Sequence, residues 1–314
     1  MSDKTFIAVI CGPTASGKTA LGVELAKRLD GEVISADSMQ IYKGLDIASA
    51  KPSEEEKQGI AHHLMDFLPL NQAFSVADYV ELAHNCIKEV TSRGKLPIIA
   101  GGTGLYISSL INNITFDDTG SDPAFRAEMR EFAAQNGNEA LRKKLEEIDP
   151  DAAARLHPNN VNRIIRALEV YHLSGTTMTL VQEKSRQQES SYRSCIIMPD
   201  FPREKLYRRI DLRVDNMIRR GLVEEAREFF THTDHVTSAQ AIGCKELKPY
   251  LDGEKSLEEC VERLKQATRN YAKRQLTWFN KMPDLHKIPV DDEADSNKIY
   301  KIAENLVKRY SFFL

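Results

Sequence analysis

The tightest constraint on this chain lies near its start, in Gly12-Pro13-Thr14-Ala15-Ser16-Gly17-Lys18-Thr19, which fits the pattern G-x-x-x-x-G-K-[ST]. That pattern carries chemistry only where it joins a strand to a helix, and both flanks qualify. Phe6 to Cys11 is an apolar run of strand length, and Lys18 to Leu29 places Leu21, Leu25 and Leu29 on one helical face. In this context the glycines let the backbone curl so that successive N–H groups point inward. The helix N-terminus adds positive potential, Lys18 brings a mobile ammonium, and the Thr19 hydroxyl can reach a phosphate or its Mg²⁺. The stretch is expected to be a phosphate-binding loop, with Thr19 the expected metal contact.

The pattern continues as alternating short apolar runs and helical periods. Val33 to Ala36 reads as a strand ending at Asp37, Ser75 to Arg93 as a helix, and Pro97 to Ala100 as a strand running into Gly101-Gly102-Thr103-Gly104. Such alternation predicts an α/β fold, a P-loop NTPase-like parallel sheet flanked by helices. From about Asp117 to Arg193 strand signals vanish and Asp-Pro or His-Pro breaks occur at Asp122, Asp149 and His157, which predicts an inserted all-helical domain. Cys195 to Met198 returns as a strand before a helical C-terminal third. The expected division is 1–116 plus 194–314 as the catalytic core and 117–193 as the insertion.

Composition removes several classes. The 314 residues are 41% hydrophobic and 28% charged, and no apolar run approaches the roughly 20 residues of a membrane helix; no signal-peptide core is visible either, so the chain is read as cytoplasmic. Cys11, Cys86, Cys195, Cys244 and Cys260 lack paired spacing and are read as reduced thiols. His62 with His63, and His232 with His235, lack a third ligand at a telling spacing and are read as structural or surface residues. With a formal net charge of -3, any polyanion must be met by local patches. Arg203 to Arg220 has seven Lys or Arg against three Asp or Glu, and Arg263 to Arg274 has five against none. In the latter, Lys265, Arg269 and Lys273 recur every fourth residue, as either a phosphate-facing stripe or a solvated face; Leu264, Tyr271 and Trp278 on another face read as packing.

The loop by itself serves two chemistries: attack on phosphorus, as in a kinase, or retention of a diphosphate leaving group while attack occurs at carbon. Asp37 stands where ligands bind in open α/β sheets. It could accept a proton, reach Mg²⁺ through water, cap the next segment or pair with Lys43. Thr103 reaches the same edge after a buried strand.

Beyond these residues the chain resembles the bacterial tRNA dimethylallyltransferase family, the type without a C-terminal zinc finger. The resemblance is carried by the Gly12 to Thr19 loop, Ile34-Ser-Ala-Asp-Ser-Met-Gln-Ile-Tyr-Lys43, Ala50-Lys-Pro52, His62-His-Leu64, Gly101-Gly-Thr-Gly-Leu-Tyr106, Asn162-Arg-Ile-Ile-Arg-Ala-Leu-Glu-Val170 and Ala272-Lys-Arg-Gln-Leu-Thr-Trp278, in the family's order from about residue 6 to about 280. It implies transfer of a dimethylallyl group from dimethylallyl diphosphate to N6 of the adenine 3′ of the anticodon, by a monomer using Mg²⁺. On matching positions, Asp37 is the implied general base, and Asp37, Ser38, Met39 and Gln40 contact the target base. Lys18, Thr19 and Arg213 serve the diphosphate. Thr103, Arg126, Asn162, Arg163, Ile164, Ile165 and Arg166 contact tRNA, as do Gln240, Lys245 and Arg274. The sequence departs from the family at Gln240, where many members carry Arg, and at Cys244, where Tyr is common.

The chemistry suits the residues. The exocyclic amine of adenine is a weak nucleophile, a carboxylate at its proton is worth about 10²- to 10⁴-fold, and departing diphosphate needs cations and N–H donors. The tRNA side needs phosphate contacts and a platform for an extruded base, and the helical insertion is expected to contact the anticodon stem-loop. Family members carry an ATP-binding label on the strength of the loop, here taken as a mark of the fold. Competing readings are a P-loop nucleotide kinase, a prenyltransferase acting on free adenosine nucleotides, and an RNA-binding regulator that senses nucleotide.

Overall fold

Phe6 to Cys11 is continuously apolar because the strand it forms is paired on both sides and covered on both faces, with Ile7 through Cys11 at 0% exposure. The computed structural model describes residues 4–114, 120–187, 189–232, 237–290 and 296–312. The chain forms two units, Met1–Ile111 with Ser191–Leu314, and Asn112–Ser190.

The first unit holds a parallel six-stranded sheet of β1 (Thr5–Cys11), β2 (Gly31–Ser35), β3 (His62–His63), β4 (Leu96–Gly101), β5 (Tyr192–Asp200) and β6 (Leu285–Pro289), in the order β3-β2-β4-β1-β5-β6. Alternate strand residues feed different cores. Ile7, Val9, Ile34 and Ile99 enter one cluster, while Ala8, Ile10, Val33 and Ile98 enter the other, the period-2 split expected of a sheet covered on both faces. Helices α1 (Lys18–Leu29), α2 (Glu54–Lys57), α3 (Val76–Ser92) and α4 (Gly104–Ile111) accompany the first four strands. Because the strands are parallel, the loops leaving β1, β2 and β4 emerge at one edge, beside the switch in strand order around β1.

Two strands lie outside the sequence expectation. β3 is a two-residue edge strand without an apolar run, and β6 is a short edge strand whose Leu-His-Lys-Ile-Pro sequence is half polar. His62 and His63 are therefore sheet residues. The His63 ring nitrogen lies 2.7 Å from a Glu32 carboxylate oxygen, which also accepts from Arg93 at 2.6 Å, and burial lowers the pKa of His62. His235 lies outside the described residues.

The second unit is helical among its described residues: α5 (Pro123–Asn136), α6 (Asn138–Glu146), α7 (Pro150–Arg155), α8 (Val161–Ser174) and α9 (Met178–Gln187). The expected start of the insertion, at 117, falls outside the described residues. The Asp-Pro breaks are helix starts. Asp122 accepts the N–H groups of Ala124 and Phe125, Asp149 accepts that of Ala152, and each proline occupies a first-turn position where no N–H is needed. Asp149, 3% exposed, also takes the backbone N–H and hydroxyl of Thr179, so one carboxylate caps α7 and fixes the start of α9. The unit has its own core of Met129, Leu141, Leu145, Ile164, Ile165 and Leu168.

The first unit resumes with α10 (Arg203–Arg219), α11 (Leu222–Phe229), α12 (Cys244–Leu251), α13 (Leu257–Phe279) and α14 (Ser296–Phe312).

Candidate active site

The loop after β1 turns on positive φ values at Gly12, Ala15 and Gly17, of 138°, 62° and 79°. Its carbonyls are held from within. The Ser16 hydroxyl donates to the Pro13 carbonyl at 2.8 Å, the Lys18 ammonium donates to the same oxygen at 2.6 Å, and Arg209 Nε donates to the Ala15 carbonyl at 2.8 Å. Thr19 and Ala20 are exposed in the first turn of α1, which has no side-chain cap, so its N–H groups are left for an anion. Met198 backs the loop: a Cβ on Gly12 would stand 3.1 Å from its Cγ.

Burial and the nearby Arg213 push the Lys18 ammonium down to about 8, against the pull of Asp37. Arg213, on α10, is lowered chiefly by burial, with Arg209 and Arg220 adding to the depression while Asp37 and Glu56 oppose it. Two poorly hydrated cations thus share the mouth of the loop.

Asp37 follows β2, and its Oδ1 accepts the Met39 N–H at 2.9 Å, closing a tight turn that fixes the carboxylate. The neighbouring loop holds this turn from the side. Thr103 Oγ1 accepts the Ser38 N–H at 3.0 Å, and the Thr103 N–H donates to the Ala36 carbonyl at 3.0 Å. Gly101 has to be glycine, because a Cβ there would lie 2.1 Å from the Ala36 oxygen. Gln40 turns inward: its amide oxygen accepts from Ser35 at 2.9 Å and its nitrogen reaches the Ser49 and Ala50 carbonyls. Of the four-residue stretch, Gln40 supports the loop and Asp37 and Ser38 form the turn beside Thr103.

Helix α13 closes this edge. Burial, then the charge of Asp37, raise the pKa of the Tyr271 phenol, which lies near the side chains of Thr103 and Gln275. Trp278 lies against Gly104, where a Cβ would stand 2.4 Å from its ring, and Nε1 donates to Ser108 Oγ at 2.9 Å. It is 38% exposed, unlike the buried Leu264 of the same row. The Arg274 guanidinium sits 5.7 Å over the Tyr271 ring. The cationic stripe is partly consumed: Arg269 pairs with Asp211 at 2.6 Å and Lys265 with Asp215 at 2.8 Å, both acids on α10. A short 3₁₀ turn, Ser238–Gln240, is tied by the Ser238 hydroxyl to the Leu70 carbonyl at 2.7 Å and leaves Gln240 exposed. Lys245 is exposed beside Glu246, whereas Cys244 is wholly buried in the core, and that burial raises its pKa to about 12.

The helical unit holds a second group. Arg126, Arg130, Asn162, Ile165 and Arg166 line a recess of about 340 Å³. Beneath it the fully buried Glu169 accepts Arg126 through both oxygens, at 2.7 and 2.8 Å, Arg166 at 2.7 Å and the Asp122 N–H at 2.8 Å. Burial works to raise the Glu169 pKa, but the two guanidiniums and the N–H overcome it and hold the carboxyl at about 2. Asn162 and Arg163 are exposed and Arg166 is half-buried, while Ile164 and Ile165, at 0% and 2% exposure, pack into the core of the unit, with Ile165 also at the wall of the recess. Glu169, Arg209, Tyr271 and Gln275 were not among the expected site residues, although Glu169 and Gln275 lie within the two motifs that named their neighbours.

A model of the IPP transferase family matches residues 40–282. The tRNA dimethylallyltransferase of Acetivibrio thermocellus is 48% identical over 310 residues, spanning 98% of this chain and 99% of that protein. That of Bacillus subtilis is 47% identical over 95% of this chain and 96% of its own. Among solved structures, the tRNA isopentenylpyrophosphate transferase of Bacillus halodurans gives a TM-score of 0.72 at 42% identity, covering 98% of both chains. A eukaryotic dimethylallyltransferase acting on tRNA gives 0.80 at 30% identity, covering 95% of this chain and 77% of that one. A family match over most of the sequence, with relatives near half identity across its length, means that this chain belongs to the IPP transferase family of tRNA dimethylallyltransferases.

Proposed function

We infer that this chain transfers a dimethylallyl group from dimethylallyl diphosphate to N6 of the adenine 3′ of the anticodon in tRNA. The observation that carries the reading is the pairing, on one sheet edge, of a doubly cationic phosphate loop with a single fixed carboxylate: Lys18 and Arg213 on one side, Asp37 on the other. The cations and uncapped N–H groups of α1 suit a diphosphate, which departs with its charge stabilised. N6 attacks C1 of the allyl group as the C1–O bond to diphosphate breaks, and the N6 proton passes to the Asp37 carboxylate. The Ser38–Thr103 hydrogen bond holds the turn against which the target base would lie.

The donor set fits Mg²⁺. Thr19 offers an exposed hydroxyl at the loop, and among the described residues no group of three His, Cys, Asp or Glu is placed to hold a metal. Mg²⁺ commonly takes one or two protein oxygens and fills its shell with water and substrate phosphates. When bound, it supplies neutralisation of charge on the diphosphate.

In the helical unit, Arg126, Arg166, Asn162 and Arg163 are suited to the backbone of the anticodon stem-loop. Among the described residues no helix is long and apolar enough to cross a membrane. Action on tRNA supports a cytoplasmic enzyme. The test is incubation with dimethylallyl diphosphate, Mg²⁺ and unmodified tRNA carrying adenine 3′ of the anticodon, followed by mass spectrometry of the tRNA. The mass of one prenyl group is expected; unchanged tRNA together with ATP consumed on a small acceptor would refute the reading.

A further inference from the structure

Gln275 lies deep in α13, 5% exposed, although its neighbours Lys273 and Arg274 face solvent. Its amide is used at both ends. The oxygen accepts the Thr14 N–H at 2.8 Å, and the nitrogen donates to the Gly102 carbonyl at 2.9 Å. Thr14 belongs to the loop leaving β1 and Gly102 to the loop leaving β4, so one side chain from a third element spans both. The fit is close: a Cβ on Gly102 would stand 2.3 Å from Gln275 Nε2. The phenol of Tyr271, one turn earlier, lies near Gln275 and near Thr103, whose hydroxyl holds Ser38 beside Asp37.

The strands alone do not set this spacing. The registered pairing of β1 with β4 ends at Cys11 and Gly101, before either loop reaches the site. Displacement at an allylic carbon requires nucleophile, carbon and leaving oxygen in line, with reacting atoms about 3–3.5 Å apart, and a misplacement of about 1 Å is worth roughly 10²-fold. The diphosphate is carried by the first loop and the base-facing turn is pinned by the second. Only a group with both donor and acceptor can bridge an N–H and a carbonyl, which an amide is and a carboxylate, ammonium or thioether is not.

We propose that Gln275 is a positioning residue for prenyl transfer, holding the phosphate loop and the Gly101–Gly104 loop in register so that leaving group and nucleophile stay aligned. The proposal rests on the function inferred above.

Gln275→Glu and Gln275→Met, made in the full chain, test it. Transfer to tRNA is followed under steady state, with thermal unfolding and calorimetric binding of inorganic diphosphate as controls. In both variants kcat should fall by about 10²-fold near pH 8 while KM for each substrate stays within about threefold. A buried carboxyl is protonated readily, and once protonated the carboxyl introduced by Gln275→Glu regains one donor and one acceptor. The ratio of Gln275→Glu to wild-type kcat should therefore climb as pH is lowered from about 8 to about 6, whereas the Gln275→Met ratio should stay flat. Division by the wild-type rate at each pH removes the titration of Lys18 and every other contribution common to the enzymes, including the charges of Asp37 and Arg213 near the same space. Unchanged kcat, or a flat ratio for both variants, would overturn the proposal and leave Gln275 a packing residue. If Gln275→Met does not fold, the Gln275→Glu series decides. Failure of the wild type to prenylate tRNA would bring down the inferred function and this proposal with it; a normal wild type with unaffected variants removes this proposal alone.

Discussion

The phosphate loop of the sheet unit and the arginine recess of the helical unit both gather cations, but they treat the charge in opposite ways. Around the loop, Lys18 and Arg213 stand close and poorly hydrated, with Asp37 the nearby carboxylate, and burial lowers the pKa of both cations. In the recess, Arg126 and Arg166 are bound to a buried carboxylate that gains from both, so their directions are fixed before any ligand arrives. Crowded cations raise the free energy of the site, and a small, multiply charged anion offsets that cost on binding. Neutralised guanidiniums attract less at long range, but their planes are held in fixed directions, which suits a shaped RNA backbone. One region supplies strength and the other geometry.

The comparison breaks first at Asp37. Asp37→Asn keeps an oxygen to accept the Met39 N–H, so the turn should persist, while the proton acceptor is lost. A fall in kcat of about 10²- to 10⁴-fold is expected, with tRNA affinity measured by filter binding nearly unchanged. Weakened binding by a similar factor would make Asp37 a recognition residue.

Glu169→Gln acts on the other region. The side chain keeps its shape and an acceptor for the Asp122 N–H, but turns an NH₂ toward guanidiniums that need a carboxylate. Stability should fall by about 2–4 kcal/mol in urea unfolding, since one partner of a buried pair has been neutralised. KM for tRNA should rise about tenfold with kcat little changed, and the slope of log affinity against log salt should flatten by about 1 for each phosphate that the arginines cease to neutralise. A drop in kcat at unchanged tRNA KM would mean that the recess is not an RNA-binding feature.

What was legible in the sequence followed from contiguity. The loop, its strand and its helix are adjacent in the chain, and the helix from Lys18 to Leu29 has the bounds that the leucine spacing implied. Asp37 and Thr103 could be placed because each closely follows an apolar strand. Partners far apart in sequence were hidden. Thr14 and Gln275 are separated by 261 positions, and Arg126 and Glu169 by 43, with no periodicity to link them. The Lys265–Arg269 stripe shows the same limit: its spacing gives the helix face, but Asp211 and Asp215 on that face's neighbour decide how much charge stays available. β3 escaped notice because an edge strand of two histidines, paired only to β2, needs no hydrophobic run.

The smallest expected effect tests the crowding directly. The Lys18 pKa is lowered to about 8, so the ammonium is charged below that pH and its charge is lost as pH rises through it, earlier than in an ordinary lysine. Because diphosphate needs the charged form, kcat/KM for dimethylallyl diphosphate should decline by about fivefold between about pH 7 and 9, with Arg213 and the loop N–H groups retaining the remainder. Protein stability should move the other way. Between about 8 and the unfolded value of about 10.5 the unfolded chain binds more protons at this site, so the ligand-free protein gains stability as pH rises. Lys18→Arg cannot lose its charge in this range and should flatten the alkaline limb of the pH profile, whatever its effect on the absolute rate. An alkaline limb that survives in Lys18→Arg would assign the titration to another group and leave the crowded-cation account of the phosphate loop without support.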